Sequence, residues 1–331
     1  MKKILLIGGA GYIGSVITKK MLLDGNKVRN LDNLLFDNKF SINEYEKEKN
    51  YEFIYGDLCS EEVLKTAIKG VTDVVVLAGI VGDPLSKKYP KETDKINEKG
   101  IINCLNFFKN KNLNKVIFIS TCSNYGIIND DEIADENHKL NPISLYAKSK
   151  VNIENFILKN RKEFDFSPVI LRFSTAFGIS PRMRFDLTLN EFTMELLKGN
   201  ELEVYEPDTW RPYCHVNDFS EIITKVLNEK KEKIAFEVFN VGSEKNNFTK
   251  AMIVDVIKKF LPSSKIKLVD KPIDRRNYRV NFKKINNLFK HEYVSVEDGI
   301  KEIISEFQEK KKYLDIFENR KKYGNYEIKK Y

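Results

Sequence analysis

The sequence predicts an α/β fold with a doubly wound parallel sheet and a smaller second lobe. Short β-branched runs alternate with amphipathic stretches over the first half of the chain. Two of these runs, Val74–Leu77 and Val116–Ile119, are apolar throughout, as expected of strands buried on both faces. After about Phe173 loops interrupt the alternation, which returns at Phe236–Val241. The second lobe is therefore expected to be interleaved with the sheet domain.

The elements follow from the period of the apolar residues and from the turn residues between them. The sheet domain is expected over residues 1–173, with a returning strand near 235–242, and the second lobe over 174–234 and 243–331. The predicted strands are Lys3–Ile7, Lys27–Leu31, Tyr51–Tyr55, Asp73–Leu77, Lys115–Ser120 and Ser167–Arg172. The predicted helices are Ser15–Asp24, Glu61–Lys69, Asn97–Lys109 and Leu145–Asn160.

Composition and charge limit the function classes. No apolar run approaches 18 residues, and the apolar start is too short for a signal peptide, so we expect a cytoplasmic protein with no membrane partner. The net charge of +8 arises from dispersed lysines, which favours a solvated basic surface over attraction to an anionic substrate. No basic block with interleaved aromatics precedes the tail, so no nucleic-acid partner is expected. The tail at 320–326 is interpreted as a frayed end in preference to an oligomer contact.

Cysteine and histidine usage predicts no metal site. The four cysteines are scattered without a CxxC pair, so we expect reduced, mostly buried thiols. Only three histidines are present. His215 lies in an apolar stretch with no evident partner, which favours a structural role over a catalytic one.

A glycine-rich turn follows the first predicted strand. Gly8, Gly11 and Gly14 form a GxxGxxG pattern that opens a helix. Glycines permit a tight turn and close approach of the backbone to a pyrophosphate, while the helix N-terminus offers free N–H groups. The turn therefore predicts a dinucleotide site.

The acid that completes this site is Asp32, eighteen residues after Gly14 at the end of the next predicted strand. Its carboxylate can accept hydrogen bonds from the adenosine ribose hydroxyls and would repel a 2′-phosphate. No arginine follows immediately, so the sequence predicts NAD rather than NADP as cofactor.

A catalytic group is predicted on the long helix. Tyr146 and Lys150 have the i, i+4 spacing that places both side chains on one helical face. A neighbouring ammonium stabilises a phenolate, so we expect Tyr146 to act as a base below its usual pKa of about 10. Thr121 follows a buried strand and can orient a substrate hydroxyl toward Tyr146.

With these motifs in place, the chain resembles the extended short-chain dehydrogenase/reductase family, in its NAD-dependent nucleotide-sugar epimerase/dehydratase branch. The resemblance covers nearly the whole chain. The motifs that carry it are Gly8-x-x-Gly11-x-x-Gly14, Asp32-Asn33, Gly56-Asp57-Leu58, Leu77-Ala78-Gly79, Asn97-x-x-Gly100, Thr121, Tyr146-x-x-x-Lys150, Leu171-Arg172, Arg211-x-Tyr213-x-His215-Val216-x-Asp218 and Phe239-Asn240-Val241-Gly242.

The resemblance implies roles for individual residues. Thr121, Tyr146 and Lys150 would be catalytic, and the family usually forms homodimers. The cofactor residues it implies are Gly8, Gly11, Tyr12, Ile13, Gly14, Asp32, Asn33, Asp57, Leu58, Leu77, Ala78, Gly79, Asn97, Tyr146 and Lys150. The residues it implies for a nucleotide-diphosphate sugar are Thr121, Thr175, Arg184, Asn190, Arg211 and Arg276, the last preferred within Asp274–Tyr278.

Departures from the family pattern narrow the reaction. Cys122 and Ser123 stand where the family's 4,6-dehydratases carry an Asp-Glu pair, which argues against dehydration. Ile80–Pro84 lacks the lysine of some epimerases. Two reactions remain. The first is oxidation at C4 with release of the ketone, and the second is transient oxidation leading to epimerisation. The chain is similar to GDP-manno-heptose 4-dehydrogenases of surface-polysaccharide synthesis, so the first is favoured; a non-catalytic NAD sensor is the alternative outside enzymes.

Overall fold

Seven parallel strands form the central sheet of the protein, whose computed structural model describes residues 2–129, 131–269, 276–319 and 327–329. In chain order the strands are β1 (Lys3–Ile7), β2 (Lys27–Asp32), β3 (Tyr51–Tyr55), β4 (Asp73–Val76), β5 (Lys115–Thr121), β6 (Ser167–Phe173), β7 (Thr175–Phe177), β8 (Leu202–Tyr205), β9 (Trp210–His215), β10 (Val238–Val241), β11 (Asn247–Thr249) and β12 (Ile266–Val269). The sheet runs in the order β10-β6-β5-β4-β1-β2-β3.

Helices cover this sheet and build the second lobe. They are α1 (Tyr12–Leu23), α2 (Glu61–Ala67), α3 (Asp83–Lys88), α4 (Pro90–Thr93), α5 (Ile101–Phe107), α6 (Leu145–Lys159), α7 (Thr188–Leu197), α8 (Val216–Asn228), α9 (Lys231–Ile234), α10 (Lys250–Phe260), α11 (Lys283–Leu288), α12 (Val296–Glu309) and α13 (Lys311–Glu318). Within the described ranges, no helix combines the length and the apolar character needed to cross a membrane.

Alternating side chains of the strands feed two apolar layers. Ile4 and Leu6 of β1 pack in one layer with Ile17 of α1, whereas Leu5 and Ile7 pack on the opposite face with helices α2, α5 and α6. All four side chains are at most 1% exposed. Successive residues of a strand point to opposite faces, so a strand that is apolar throughout must be covered on both sides. The doubly wound sheet is thereby confirmed.

Two helix starts differ from the predicted ones by three residues or more, and the other boundaries agree within two residues. Helix α1 begins at Tyr12, three residues earlier than predicted, because Gly11 already has the extended backbone of an N-cap. A π-helical turn over Asp94–Gly100 precedes α5, which the pattern had merged into one helix from Asn97. Strand β10 returns to the sheet edge and pairs in parallel with β6, Val238 opposite Ile170.

A third apolar cluster holds the second lobe together. Phe177, Phe185 and Val216 pack there with α7, α10 and α12, and Phe185 meets Phe307 edge-on with ring centres 5.7 Å apart. Tyr12 of α1 also belongs to this cluster. The chain therefore carries the glycine turn on an element that contacts both lobes.

Candidate active site

The glycine turn fits closely between β1 and α1. Gly8 has φ +87°, and a Cβ on it would lie 2.7 Å from the backbone nitrogen of Ala78. A Cβ on Gly14 would lie 2.6 Å from the carbonyl oxygen of Gly9. Only glycine fits at these two positions, and Gly11 caps the start of α1. The turn thus exposes backbone at a helix N-terminus, where a diphosphate binds well.

A deep cleft lies above this turn, and we call it the cofactor cavity. Of the predicted cofactor residues, those that line it are Gly8, Gly11, Tyr12, Ile13, Gly14, Asp32, Asn33, Leu58, Leu77, Ala78, Gly79, Tyr146 and Lys150. Apolar residues that sequence reasoning missed also line it: Leu31, Leu35, Phe36 and Ile96. Apolar lining residues together with Asp32 and the bare glycine turn suit a purine nucleotide with a diphosphate.

Asp32 is held rigidly at this cavity. Its Oδ2 accepts a hydrogen bond from the Ala10 amide at 3.0 Å, and its Oδ1 accepts one from the Leu34 amide at 2.8 Å. Burial raises the pKa of Asp32, while the two amides and the guanidinium of Arg182 oppose the rise. Arg182 of the second lobe therefore lies close enough to Asp32 to affect its pKa, although no arginine follows Asp32 immediately in the sequence.

Asn97 and Asp57 lie beside the cavity rather than in its wall. The Asn97 side chain accepts from the Ile80 amide at 2.7 Å and donates to the Ile80 carbonyl at 2.8 Å, so it fixes the loop after β4. The Asp57 carboxylate accepts from the Cys59 amide at 2.9 Å. Both side chains shape the backbone that lines the cavity.

A second cleft, the substrate cavity, opens next to the first. Five of the six predicted substrate residues line it: Thr121, Thr175, Arg184, Arg211 and Arg276. The sixth, Asn190, is fully buried; its Oδ1 accepts from the Gly178 amide at 3.0 Å and its Nδ2 donates to the Arg184 carbonyl at 3.0 Å. Asn190 thus supports the loop that carries Arg184. Asp274 and Arg275, and the basic tail at 320–326, lie outside the described residues.

Tyr146 forms part of the wall between the two cavities. It lines both, together with Ile13, Val81, Ile119 and Arg184. Thr121 lines the substrate cavity and interacts with the Tyr146 side chain so as to lower its pKa, whereas Lys150 lines only the cofactor cavity. A proton acceptor between a dinucleotide site and an arginine-rich site is the arrangement that oxidation of a bound hydroxyl requires.

The pKa of Tyr146 differs from the expected one. Burial raises the pKa of Tyr146 to about 12, Arg184 and Thr121 oppose that rise, and Asp83 adds to it. Lys150 is not among the groups that lower the pKa of Tyr146, and its Nζ lies 5.8 Å from the centre of the Tyr146 ring. Burial lowers the pKa of Lys150 itself to about 7, with Glu154 opposing. The expected lowered tyrosine pKa is therefore not a property of the chain alone.

A buried ionic network supports α6 behind Lys150. Glu154 pairs with Arg172 of β6 at 2.6 Å, and both side chains are at most 5% exposed. Ser120 and Asn124 donate to the same carboxylate at 2.5 and 2.9 Å. Because Ser120 precedes Thr121 and Glu154 lies one turn after Lys150, the network fixes the end of β5 relative to α6.

Several residues of the substrate cavity carried no family signal. Asp83 begins α3, and its Oδ2 lies 3.3 Å from Arg276 Nη1. Its Oδ1 is buried and has no hydrogen-bond partner among the described residues. Lys250 and Tyr278 also line the cavity, and the Tyr278 hydroxyl lies 3.2 Å from that of Ser123. Such residues come from distant loops, which pattern reading along the chain does not bring together.

His215 has a partner, contrary to the prediction, and both of its ring nitrogens make contacts that fit the predicted structural role. Its Nε2 lies 2.7 Å from Glu302 Oε2, and its Nδ1 accepts from the Asn217 amide at 3.3 Å as the cap of α8.

Three cysteines are buried and Cys59 is partly exposed; all four thiols are free. Within the described residues no cluster of three or more His, Cys, Asp or Glu side chains is placed to hold a metal ion.

Comparisons with known proteins agree with this geometry. The model of the NAD dependent epimerase/dehydratase family matches residues 4–242. A putative UDP-glucose 4-epimerase of Methanocaldococcus jannaschii is 28% identical over 308 residues, which is 91% of this chain and 97% of that one.

Solved structures show the same fold. A dTDP-glucose 4,6-dehydratase from Bacillus anthracis, solved with NAD, has a TM-score of 0.83 and 25% identity, covering 95% of this chain and 98% of that one. A UDP-glucose 4-epimerase from Thermus thermophilus, also solved with NAD, has a TM-score of 0.80 at 23% identity, covering 92% and 99%. The expectation of NAD as cofactor is confirmed. The chain belongs to the NAD-dependent epimerase/dehydratase family.

Proposed function

We propose that the protein uses NAD to oxidise a hydroxyl, at C4, of a nucleotide-diphosphate sugar. The observation that carries this proposal is the position of Tyr146, which lines the cofactor cavity and the substrate cavity at once. A base in that shared wall can take the hydroxyl proton of a sugar in the substrate cavity. The hydride can then leave the carbon that bears this hydroxyl for the cofactor cavity.

The chain's own residues perform the proton chemistry. Thr121 positions the sugar hydroxyl, and Tyr146 takes its proton as the C–H bond breaks. When bound, NAD would supply the hydride acceptor. Burial holds the pKa of Tyr146 at about 12 in the chain alone, although Arg184 opposes the rise, so this pKa must fall further in the ligand-bound enzyme for Tyr146 to act as the base.

Several cations that line the substrate cavity can bind the diphosphate of the substrate. Arg211, Arg276 and Lys250 line it, and the Arg211 guanidinium lies 5.0 Å from the Tyr278 ring centre. Arg211 also donates to the carbonyl oxygen of Arg276, so the two arginines are held together. Planar guanidinium groups bind phosphate oxygens in pairs, which suits a nucleoside diphosphate.

The fate of the ketone distinguishes two enzymes. We favour release of a 4-keto sugar, with GDP-manno-heptose as the substrate to test first, because the chain resembles the 4-dehydrogenases of that sugar. Dehydration is disfavoured because Cys122 is buried, with its Sγ 3.2 Å from the Arg172 carbonyl oxygen, and burial raises the pKa of its thiol. Epimerisation is the second candidate, supported by the M. jannaschii relative named as a 4-epimerase.

The test is incubation with a panel of GDP-, UDP-, CDP- and dTDP-sugars, each analysed by mass spectrometry. A loss of two mass units supports the dehydrogenase, and a new isomer of unchanged mass supports the epimerase. Loss of water from any sugar would contradict both. An unchanged panel, including GDP-manno-heptose, would contradict the proposed substrate class.

A further inference from the structure

Arg182 reaches the cofactor cavity from the other lobe. It lies in the loop between β7 and α7, about 170 residues after the glycine turn, yet its side chain lines the cofactor cavity and is absent from the lining of the substrate cavity. The residue is only 2% exposed, and its guanidinium carbon lies 5.0 Å from the centre of the Phe36 ring. Neither Arg182 nor Phe36 belongs to a motif that predicted cofactor binding.

The loop is attached to the start of α1. Ser180 donates from its hydroxyl to the Tyr12 carbonyl at 2.7 Å, and its oxygen lies 3.0 Å from the Ser15 hydroxyl. The Arg182 amide donates to the same Ser180 oxygen at 3.2 Å. Because Tyr12 and Ser15 form the first turn of α1, Arg182 is fixed beside the helix N-terminus.

The charge at this place matches an anion in the cavity. Burial and the neighbouring Arg184 lower the pKa of Arg182 to about 10, so it stays cationic at neutral pH, with Asp32 and Asp186 opposing. Both oxygens of Asp32 already accept backbone amides. A guanidinium that lines the cavity beside a helix N-terminus can bind two phosphate oxygens at once, so its charge and shape suit a diphosphate there.

We propose that Arg182 binds the diphosphate of NAD, so that a loop of the substrate lobe completes the cofactor site. The same loop carries Arg184, which lines both cavities. Occupation of the cofactor site therefore holds in place one wall of the substrate site. This inference rests on NAD binding alone and is independent of which sugar the enzyme accepts.

The test measures binding rather than turnover. Wild type and Arg182→Met, both stripped of copurified cofactor, are titrated with NAD and ADP-ribose by calorimetry and with adenosine by ligand-observed NMR. Loss of a charge-assisted contact predicts a Kd for NAD and ADP-ribose raised by about 10- to 100-fold, with the Kd for adenosine changed less than about twofold. Arg161→Met is the control, since Arg161 also lies over an aromatic ring, 5.3 Å from Phe236, outside both cavities.

Two results would overturn the proposal. An unchanged Kd for NAD would show that Arg182 only packs, and an equal loss for adenosine would place it at the nucleoside instead. If Arg182→Met fails to fold, Arg182→Lys carries the test: the charge stays but the planar fork is lost, so the NAD-specific loss should be smaller and still absent for adenosine. Thermal unfolding of the ligand-free variants identifies any general destabilisation.

Discussion

The Nζ of Lys150 donates a hydrogen bond to the carbonyl oxygen of Ile119 at 2.7 Å. Ile119 lies near the end of β5, two residues before Thr121, and its side chain lines both cavities. The bond therefore joins α6 to β5 at the wall of the cofactor cavity. No hydrogen bond joins Lys150 and Tyr146 among the described residues, so the effect of the lysine on Tyr146 must be electrostatic.

The buried lysine makes stability depend on pH. Its pKa is about 7 in the folded chain and near 10.5 when unfolded, so the folded state binds fewer protons between those values. Stability of the ligand-free protein should rise with pH over that window and lose this contribution at lower pH. Lys150→Met should be more stable than wild type by about 2–4 kcal/mol at pH 6, with the difference shrinking toward pH 10. Urea unfolding at each pH measures it; a constant difference would contradict the lowered pKa.

Charges around Tyr146 should shift the pH–rate profile in opposite directions. Asp83 raises the pKa of Tyr146 and Arg184 lowers it. If the tyrosine acts as a base, kcat/KM rises with pH through its pKa. Asp83→Asn should move that rise to lower pH and Arg184→Met to higher pH. Shifts in the same direction would show that the titrating group is not Tyr146.

The pair of Glu154 and Arg172 should be essential for the fold. Glu154→Ala leaves a buried guanidinium without its carboxylate, which should cost about 3–5 kcal/mol in the free energy of unfolding. The control is Glu61→Ala, which breaks a solvent-exposed pair with Lys65 and should cost far less. Chemical denaturation compares the two, and equal small losses would mean that the network does not support α6.

Glycine substitutions should separate backbone strain from steric fit. Gly8 and Gly25 both have positive φ, but a Cβ on Gly25 meets nothing within 4 Å, whereas one on Gly8 meets Ala78 at 2.7 Å. Gly25→Ala should cost about 1 kcal/mol of stability and leave NAD binding unchanged. Gly8→Ala should cost more and weaken NAD binding. Thermal unfolding and NAD titration give the comparison; similar effects of both would contradict the close fit at Ala78.

The sequence predicts those parts of the site that are local along the chain. The glycine turn, Asp32 and the pair of Tyr146 and Lys150 each lie within one strand–turn–helix unit, so spacing places them correctly relative to their elements. Arg182 could not be found that way, because long-range packing brings it to the cofactor cavity. Phe36 and Asp83 are close in sequence to predicted site residues, but they lie in loops whose path no spacing predicts. The pKa of Tyr146 was also beyond reach, since it depends on burial and on charges from other segments.

Hydride transfer to NAD tests the central claim most directly. A nucleotide-diphosphate sugar found active in the panel is prepared with deuterium at C4 and mixed with enzyme in a single turnover, and the deuterium in the reduced cofactor is measured by mass spectrometry. Wild type and the control Tyr55→Phe, whose residue is 62% exposed, should yield deuterated NADH. Tyr146→Phe should bind NAD normally and yield it about 10²- to 10⁴-fold more slowly. Unlabelled cofactor from wild type, or full transfer by Tyr146→Phe, would contradict the account.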